Sequence, residues 1–204
     1  IYCKCGKSKY VMKWAYFYHM EQLSVITISF NNLKELQQTC NSVDSQTIPP
    51  HEHYIVDGSS NNEISDWLNN SPQPVYRKWI CEKDKGISDA FNKGINLASG
   101  SIIHLLNSAD VYYSNSVIEK VVNFYKQHPE TQWTSGNIYM KRGGIWVNIG
   151  VPFDPKQLYK GMRAVSHPTW FVRKEVYARV GQFSVDIKIA MDLYPSLFLF
   201  LTNL

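Results

Sequence analysis

The sequence predicts an α/β protein with a mostly parallel central sheet and helices on both of its faces. Two observations carry this. Four short, β-branched apolar runs alternate with segments whose apolar residues recur at helical spacing. The first, second and fourth of these runs end in small polar residues, the pattern expected where parallel strands open onto a ligand crevice. At 204 residues the chain is long enough for one well-filled domain.

From Leu23 the elements follow in order. "LSVITISF" is a buried strand followed by Asn31 and Asn32. Asn32 is placed to cap a helix whose Leu33, Leu36, Cys40 and Val43 share a face. Pro49 and Pro50 stop that region, and "HYIVDG" is a second strand ending in Asp57-Gly58-Ser59-Ser60. A helix with Ile64, Trp67 and Leu68 precedes a proline-broken loop and a third strand around "VYRKWI". "SDAFNKGINLASG" predicts a helix capped by Ser88 and stopped by Gly100. "SIIHLLN" is the fourth strand and ends in Asn107-Ser108-Ala109-Asp110; "SVIEKVVNFYKQHP" is a further amphipathic helix. Residues 133–171 read as a less regular half that could cover the carboxyl edge of the sheet. Arg173 and Lys174 read as solvated charge on the helix that follows.

Composition excludes several classes. Hydrophobic content of 44% and charged content of 19% describe a globular chain. The net charge of +4 comes without a dense Lys/Arg run, which argues against nucleic acid as partner. Cys3, Cys5, Cys40 and Cys81 match neither a disulfide framework nor a zinc pattern and read as reduced cysteines of a cytosolic protein. The apolar stretch "LYPSLFLFLTNL" is about half the ~20 residues a bilayer requires, and Pro195 interrupts it. Residues 1–19 lack the core of a secretory signal; their Trp, Tyr and Lys side chains suit a membrane surface.

The strand ends Ser29-Phe30-Asn31, Asp57-Gly58-Ser59-Ser60 and Asn107-Ser108-Ala109-Asp110 should meet at one crevice. No Gly-x-Gly-x-x-Gly follows the first strand and no Gly-x-x-x-x-Gly-Lys-Ser/Thr loop occurs. Asp110 is therefore either a turn residue or, beside a phosphate, the ligand of a divalent metal, because a carboxylate repels phosphate unless a cation bridges them.

"LSVITISFNN", "YIVDGSS", "EKDKGISDAFNKGINLASG" and "LLNSAD", in this order and spacing, resemble family 2 glycosyltransferases, most strongly bacterial members that build polysaccharides or lipid-linked glycans. "SHPTWFVRKEVYARVGQFSVDIKIAMDLY" resembles the family's later segment, and the likeness runs from about Leu23 to Tyr194. It implies a GT-A fold, with a Rossmann-like nucleotide-binding half and a less regular acceptor half. It also implies inverting transfer of a sugar from a nucleotide-diphosphate-sugar, a UDP-sugar by expectation, to a hydroxyl of a glycan or lipid-linked acceptor. By position it assigns Ser29, Asn31, Asp57, Gly58, Ser59, Gly86, Asp89, Asn92, Lys93 and Ser108 to the donor nucleotide. It assigns Asp110 to Mn2+ or Mg2+, Asp192 to the catalytic base, and His167 to a phosphate or acceptor contact, with a packed turn histidine as the alternative. Ala109 departs from the pattern, since the family often has a second Asp there.

The resulting expectation is an N-terminal extension over 1–19 and a catalytic domain over 20–204, truncated on the acceptor side. Residues 20–110 form its nucleotide-sugar half and 111–204 its acceptor half. The expected location is cytoplasmic, at the inner face of the membrane with peripheral association. Two other readings stay open: a catalytically weak nucleotide-sugar-binding relic, and a sugar nucleotidyltransferase.

Overall fold

The computed structural model describes residues 21–150 and 167–186; the expectations for residues 1–19, Asp192 and Pro195 lie outside them. Six strands form a mixed sheet in the order β3-β2-β1-β4-β8-β5. They are β1 (Leu23–Ser29), β2 (Glu52–Asp57), β3 (Arg77–Cys81), β4 (Ile102–Leu105), β5 (Trp133–Thr134) and β8 (Phe171–Arg173). The first four pair in parallel, with Ser29 opposite Asp57 and Ile26 opposite Leu105. β8 runs antiparallel to both β4 and β5. A separate hairpin joins β6 (Ile138–Arg142) to β7 (Ile145–Ile149).

Helices α1 (Leu33–Asp44), α2 (Glu63–Asn70) and α4 (Val117–Gln127) cover one face of the sheet; α3 (Ile87–Leu97) and α5 (Lys174–Val180) cover the other. The strands explain why both faces need covering. In β1, Leu23 and Val25 pack with Ile118 and Tyr125, while Ile26 packs with Phe91 and Ile95. Alternate residues of a strand point to opposite faces, so a strand with large apolar side chains on both faces is stable only between two layers. Each such side chain, fully buried, contributes roughly 1.5–3 kcal/mol.

The helix faces are those the sequence predicts: Leu36, Cys40 and Val43 are buried on α1, and Ile64 and Leu68 on α2. The capping expectations change. Asn32 sits at the N-cap of α1, but its side-chain oxygen accepts from the Phe30 N–H at 3.1 Å behind it. At α3 the cap position is Gly86, and Ser88 lies within the first turn, buried. Gly100 does not end α3, which stops at Leu97. A Cβ there would fall 2.5 Å from the Ser24 hydroxyl, so glycine is required by close packing.

The less regular half extends the sheet through β8 and β5 as well as approaching its carboxyl edge. Arg173 is not solvated charge. It is the last residue of β8 and pairs with both Glu21 oxygens at 3.1 Å and with the Thr131 carbonyl at 2.8 Å. Lys174 donates to the Ala98 carbonyl. No helix among the described residues is long and apolar enough to cross a membrane.

Candidate functional site

The parallel register brings the polar strand ends side by side. Asp57 Oδ1 accepts from the Ser29 hydroxyl at 3.1 Å, the Ser59 N–H at 3.2 Å and the Ser59 hydroxyl at 2.5 Å. Its Oδ2 accepts nothing from the described residues. Asn31 ties the two ends together. Its N–H donates to Ser59 Oγ at 2.8 Å, and its Oδ1 accepts from the Ser60 N–H at 3.0 Å. Asn31 has φ 52°, a left-handed conformation that asparagine tolerates better than most residues.

Gly58 is glycine because of what crosses it: a Cβ there would lie 1.9 Å from Asp84 Oδ2. The loop that makes this crossing is wound around carboxylates. Asp84 Oδ1 accepts from the Gly86 N–H at 2.8 Å, and Asp89 Oδ2 accepts from the Lys85 N–H at 2.9 Å. Gly86 itself has φ 112°. Lys93 closes the loop against the helix, meeting Glu82 at 2.8 Å, the Lys83 carbonyl at 2.9 Å and Asp89 at 3.6 Å. Asn92 faces inward; its amide accepts from the Phe183 N–H and donates to the Phe183 carbonyl, both at 2.9 Å. As placed, Lys93 braces the loop and Asn92 braces the helix against Phe183.

Beyond β4 the chain keeps its ladder to β1 through Leu106 and Ser108, whose N–H groups donate to the carbonyls of Ile26 and Ile28. It then turns sharply: the Asp110 N–H donates to the Asn107 carbonyl at 3.0 Å, with Ala109 at φ 80°. Thr39 of α1 pins this turn from below, donating to the Asp110 carbonyl at 2.9 Å. The Asn107 amide then bridges two functional groups. One N–H faces Asp110 Oδ2 at 3.3 Å, the other His167 Nε2 at 3.2 Å. His167 therefore accepts at Nε2 in this arrangement. It opens a 3-10 turn (His167–Thr169) and lies edge-on to Phe91 and Trp170.

Burial pushes the Asp110 carboxyl above its usual range, against the opposing influence of Asn107 and of nearby His167. Its charge is poorly compensated by the protein alone. Next to it the Ser108 hydroxyl is buried with no hydrogen-bond partner among the described residues, and such a group marks a place where something else supplies the partner.

Two residues that hold this arrangement were not singled out by sequence reasoning. His104 accepts at Nδ1 from the Tyr112 hydroxyl at 2.8 Å and donates from Nε2 to the Pro168 carbonyl at 2.9 Å. It thereby fastens the turn carrying His167 to β4. Burial lowers it to about 4, so it is a neutral strut. Thr39 is the other. A histidine inside an apolar strand was the available signal for the first; an interior helix threonine gives none for the second.

A divalent ion can be tested against this donor set. Among the described residues no group of three or more His, Cys, Asp or Glu side chains converges. One partly buried carboxylate beside a hydroxyl without a partner among the described residues fits an ion whose remaining ligands are diphosphate oxygens and water. It does not fit a zinc-type site built wholly from protein.

The fold is that of known glycosyltransferases. The chain is similar to S. aureus TarS in complex with UDP-GlcNAc, with TM-score 0.64 and 19% identity over 88% of this chain and 53% of that one. It is similar to the mannosyltransferase PcManGT from Pyrobaculum calidifontis in complex with GDP-Man and Mn2+, with TM-score 0.57 and 17% identity over 81% and 48%. An uncharacterized glycosyltransferase of Mycobacterium tuberculosis is 32% identical over 172 residues, 83% of this chain and 65% of that protein. The chain thus spans less than two thirds of the length of that relative. The family model for glycosyl transferase family 2 matches residues 24–181, and the chain belongs to that family.

Proposed function

We propose that the protein transfers a sugar, with inversion, from a nucleotide-diphosphate-sugar to a hydroxyl of a glycan or lipid-linked acceptor. One observation carries the reading: a partly buried carboxylate, Asp110, stands beside a buried hydroxyl, Ser108, without a partner among the described residues, at the edge where β1 and β2 present Ser29, Asn31 and Asp57. The UDP-GlcNAc and GDP-Man complexes of the two similar structures support a donor of this class.

In this reading the free Oδ2 of Asp57 accepts a hydrogen bond from uracil N3–H or from a ribose hydroxyl, which an apolar residue could not do. Ser29, Asn31, Gly58 and Ser59 hold that carboxylate in place, and Gly86 with Asp89 shapes the loop across the pocket. Asn92 and Lys93 act on the donor through that loop. Ser108 bonds a diphosphate oxygen. Asp110 is the protein ligand of Mn2+ or Mg2+, which when bound would take up charge developing on the departing diphosphate. His167, oriented by Asn107, contacts phosphate or acceptor. Asp192, which lies outside the described residues, is assigned by resemblance as the base that takes the acceptor proton, a role worth ~10²–10⁴-fold in rate. A cytoplasmic site of action belongs to the same reading.

The test is titration calorimetry of UDP and GDP, each with and without Mn2+, against the parent and Asp110→Asn. The parent should bind one nucleotide more tightly with metal, and Asp110→Asn should lose that metal-dependent gain. Equal metal-dependent affinity in both proteins would refute the metal assignment. A parent that binds but never releases nucleotide from its sugar conjugate would point to the donor-binding relic, a reading that Ala109 favours because it leaves Asp110 without a second carboxylate.

A further inference from the structure

We propose that the β6–β7 hairpin is a docking element for an anionic lipid surface. Exposed large apolar side chains concentrate there: Ile145 is 70% exposed, Trp146 67%, Tyr139 47% and Met140 37%. Tyr113, 79% exposed, stacks on Tyr139 with ring centroids 4.9 Å apart and planes at 18°. Exposed apolar side chains gathered on one short element mark an interaction surface, whereas scattered single residues do not.

The register shows how charge is distributed on it. Opposed residues of an antiparallel pair share a face. Arg142 is opposite Ile145 on one face, and Lys141 is opposite Trp146 on the other. Both faces therefore end, at the Gly143–Gly144 turn, in one cation beside one large exposed apolar side chain. The sequence from Thr131 to Phe153 contains no Asp or Glu. Trp, Tyr and Ile beside Lys and Arg match the boundary between acyl chains and phosphate headgroups. The uniform positive sign suits an anionic sheet and disfavours a second copy of the same hairpin.

The four residues substituted below are none of those assigned to the donor, metal or acceptor, so the test can fail without touching the reading above. The full chain is sedimented with phosphatidylcholine vesicles, with and without phosphatidylglycerol, at low and high salt. Two double variants are compared: I145S/W146S and K141Q/R142Q. The parent should sediment with the anionic vesicles and be released by salt. Each double variant should partition about tenfold more weakly or worse. All three proteins should keep the same melting temperature and the same nucleotide affinity by calorimetry. Three results would overturn the proposal: no sedimentation of the parent, equal sedimentation with neutral vesicles, or variants that sediment like the parent. Lipid-free self-association abolished by the same variants would also overturn it, by making the hairpin a contact between copies.

Discussion

Two carboxylates at opposite ends of the parallel sheet face opposite circumstances. At the amino-terminal end of β2, Glu52 is buried and saturated. It accepts from the Ser24 hydroxyl at 2.7 Å, the Ser99 N–H at 2.5 Å, the Ser99 hydroxyl at 3.0 Å and the Lys78 ammonium at 2.9 Å. Burial opposes its charge, but the Ser99 N–H, Lys78 and the two hydroxyls outweigh that and hold it at about 2. At the carboxyl end of β4, Asp110 has one side-chain donor, Asn107 at 3.3 Å, and burial raises it. The first carboxylate has its partners in the fold. Among the described residues the second lacks them, as the proposed metal site requires. A carboxylate's surroundings, more than its presence, separate structure from function.

The largest effect that could break this contrast is at Glu52. Its depressed value, from 4.5 in the unfolded chain to about 2, corresponds to roughly 3 kcal/mol of stability at neutral pH. Glu52→Gln should remove most of it while leaving nucleotide affinity unchanged, as read by urea unfolding and calorimetry. The sign with pH follows from the direction of the shift. The contribution is fully present above about pH 4.5 and is lost as the pH falls toward about 2, so the difference between parent and variant should vanish in acid. A variant as stable as the parent at neutral pH would show that the Ser99 and Lys78 contacts contribute nothing net.

Asp110 should behave with the opposite sign and a smaller size. Its folded value lies above its unfolded one, so the fold prefers the protonated form and loses stability as the pH rises through the folded value. Asp110→Asn should be more stable than the parent at neutral pH by about 1 kcal/mol, the scale of an imperfectly compensated buried group, and the gain should shrink in acid. Saturating nucleotide with Mn2+ should reverse the order, because only the parent gains from the ion. A destabilised Asp110→Asn at neutral pH would mean that the charge is already satisfied within the protein.

The difference between the two ends also marks where sequence reading succeeds. The four parallel strands, the buried faces of α1 and α2 and the meeting of Ser29 with Asp57 follow from short-range pattern, because alternating elements of this length admit few topologies. β5 and β8, of two and three residues, are too short to show a period and exist only through pairing, β8 with β4 and β5 with β8. Asn32 turning back to Phe30, and Lys93 held by Glu82 and Asp89, depend on competition among nearby partners that residue type alone does not decide. The partners of Thr39 and His104 are hidden for a stronger reason. They lie 71 and 64 residues away, at Asp110 and Pro168, and no local pattern encodes a hydrogen bond across that distance.

Ala109 offers the finest test of the contrast, because it strains the turn that holds Asp110. At φ 80° its Cβ crowds the following carbonyl, at a cost of roughly 1 kcal/mol, while Asn and Asp are accepted there more readily. The second Asp of the family pattern therefore has two separable consequences, one for the backbone and one for the ion. Ala109→Asn should isolate the first, raising stability by about 0.5 kcal/mol with no gain in metal affinity. Ala109→Asp adds a carboxylate beside the uncompensated Asp110, so without metal the mutual repulsion should cancel that gain. With Mn2+ and nucleotide its melting temperature should rise further above the parent's than that of Ala109→Asn. If the two variants respond alike to Mn2+, the ion does not reach this turn, and the desolvation of Asp110 serves some other partner.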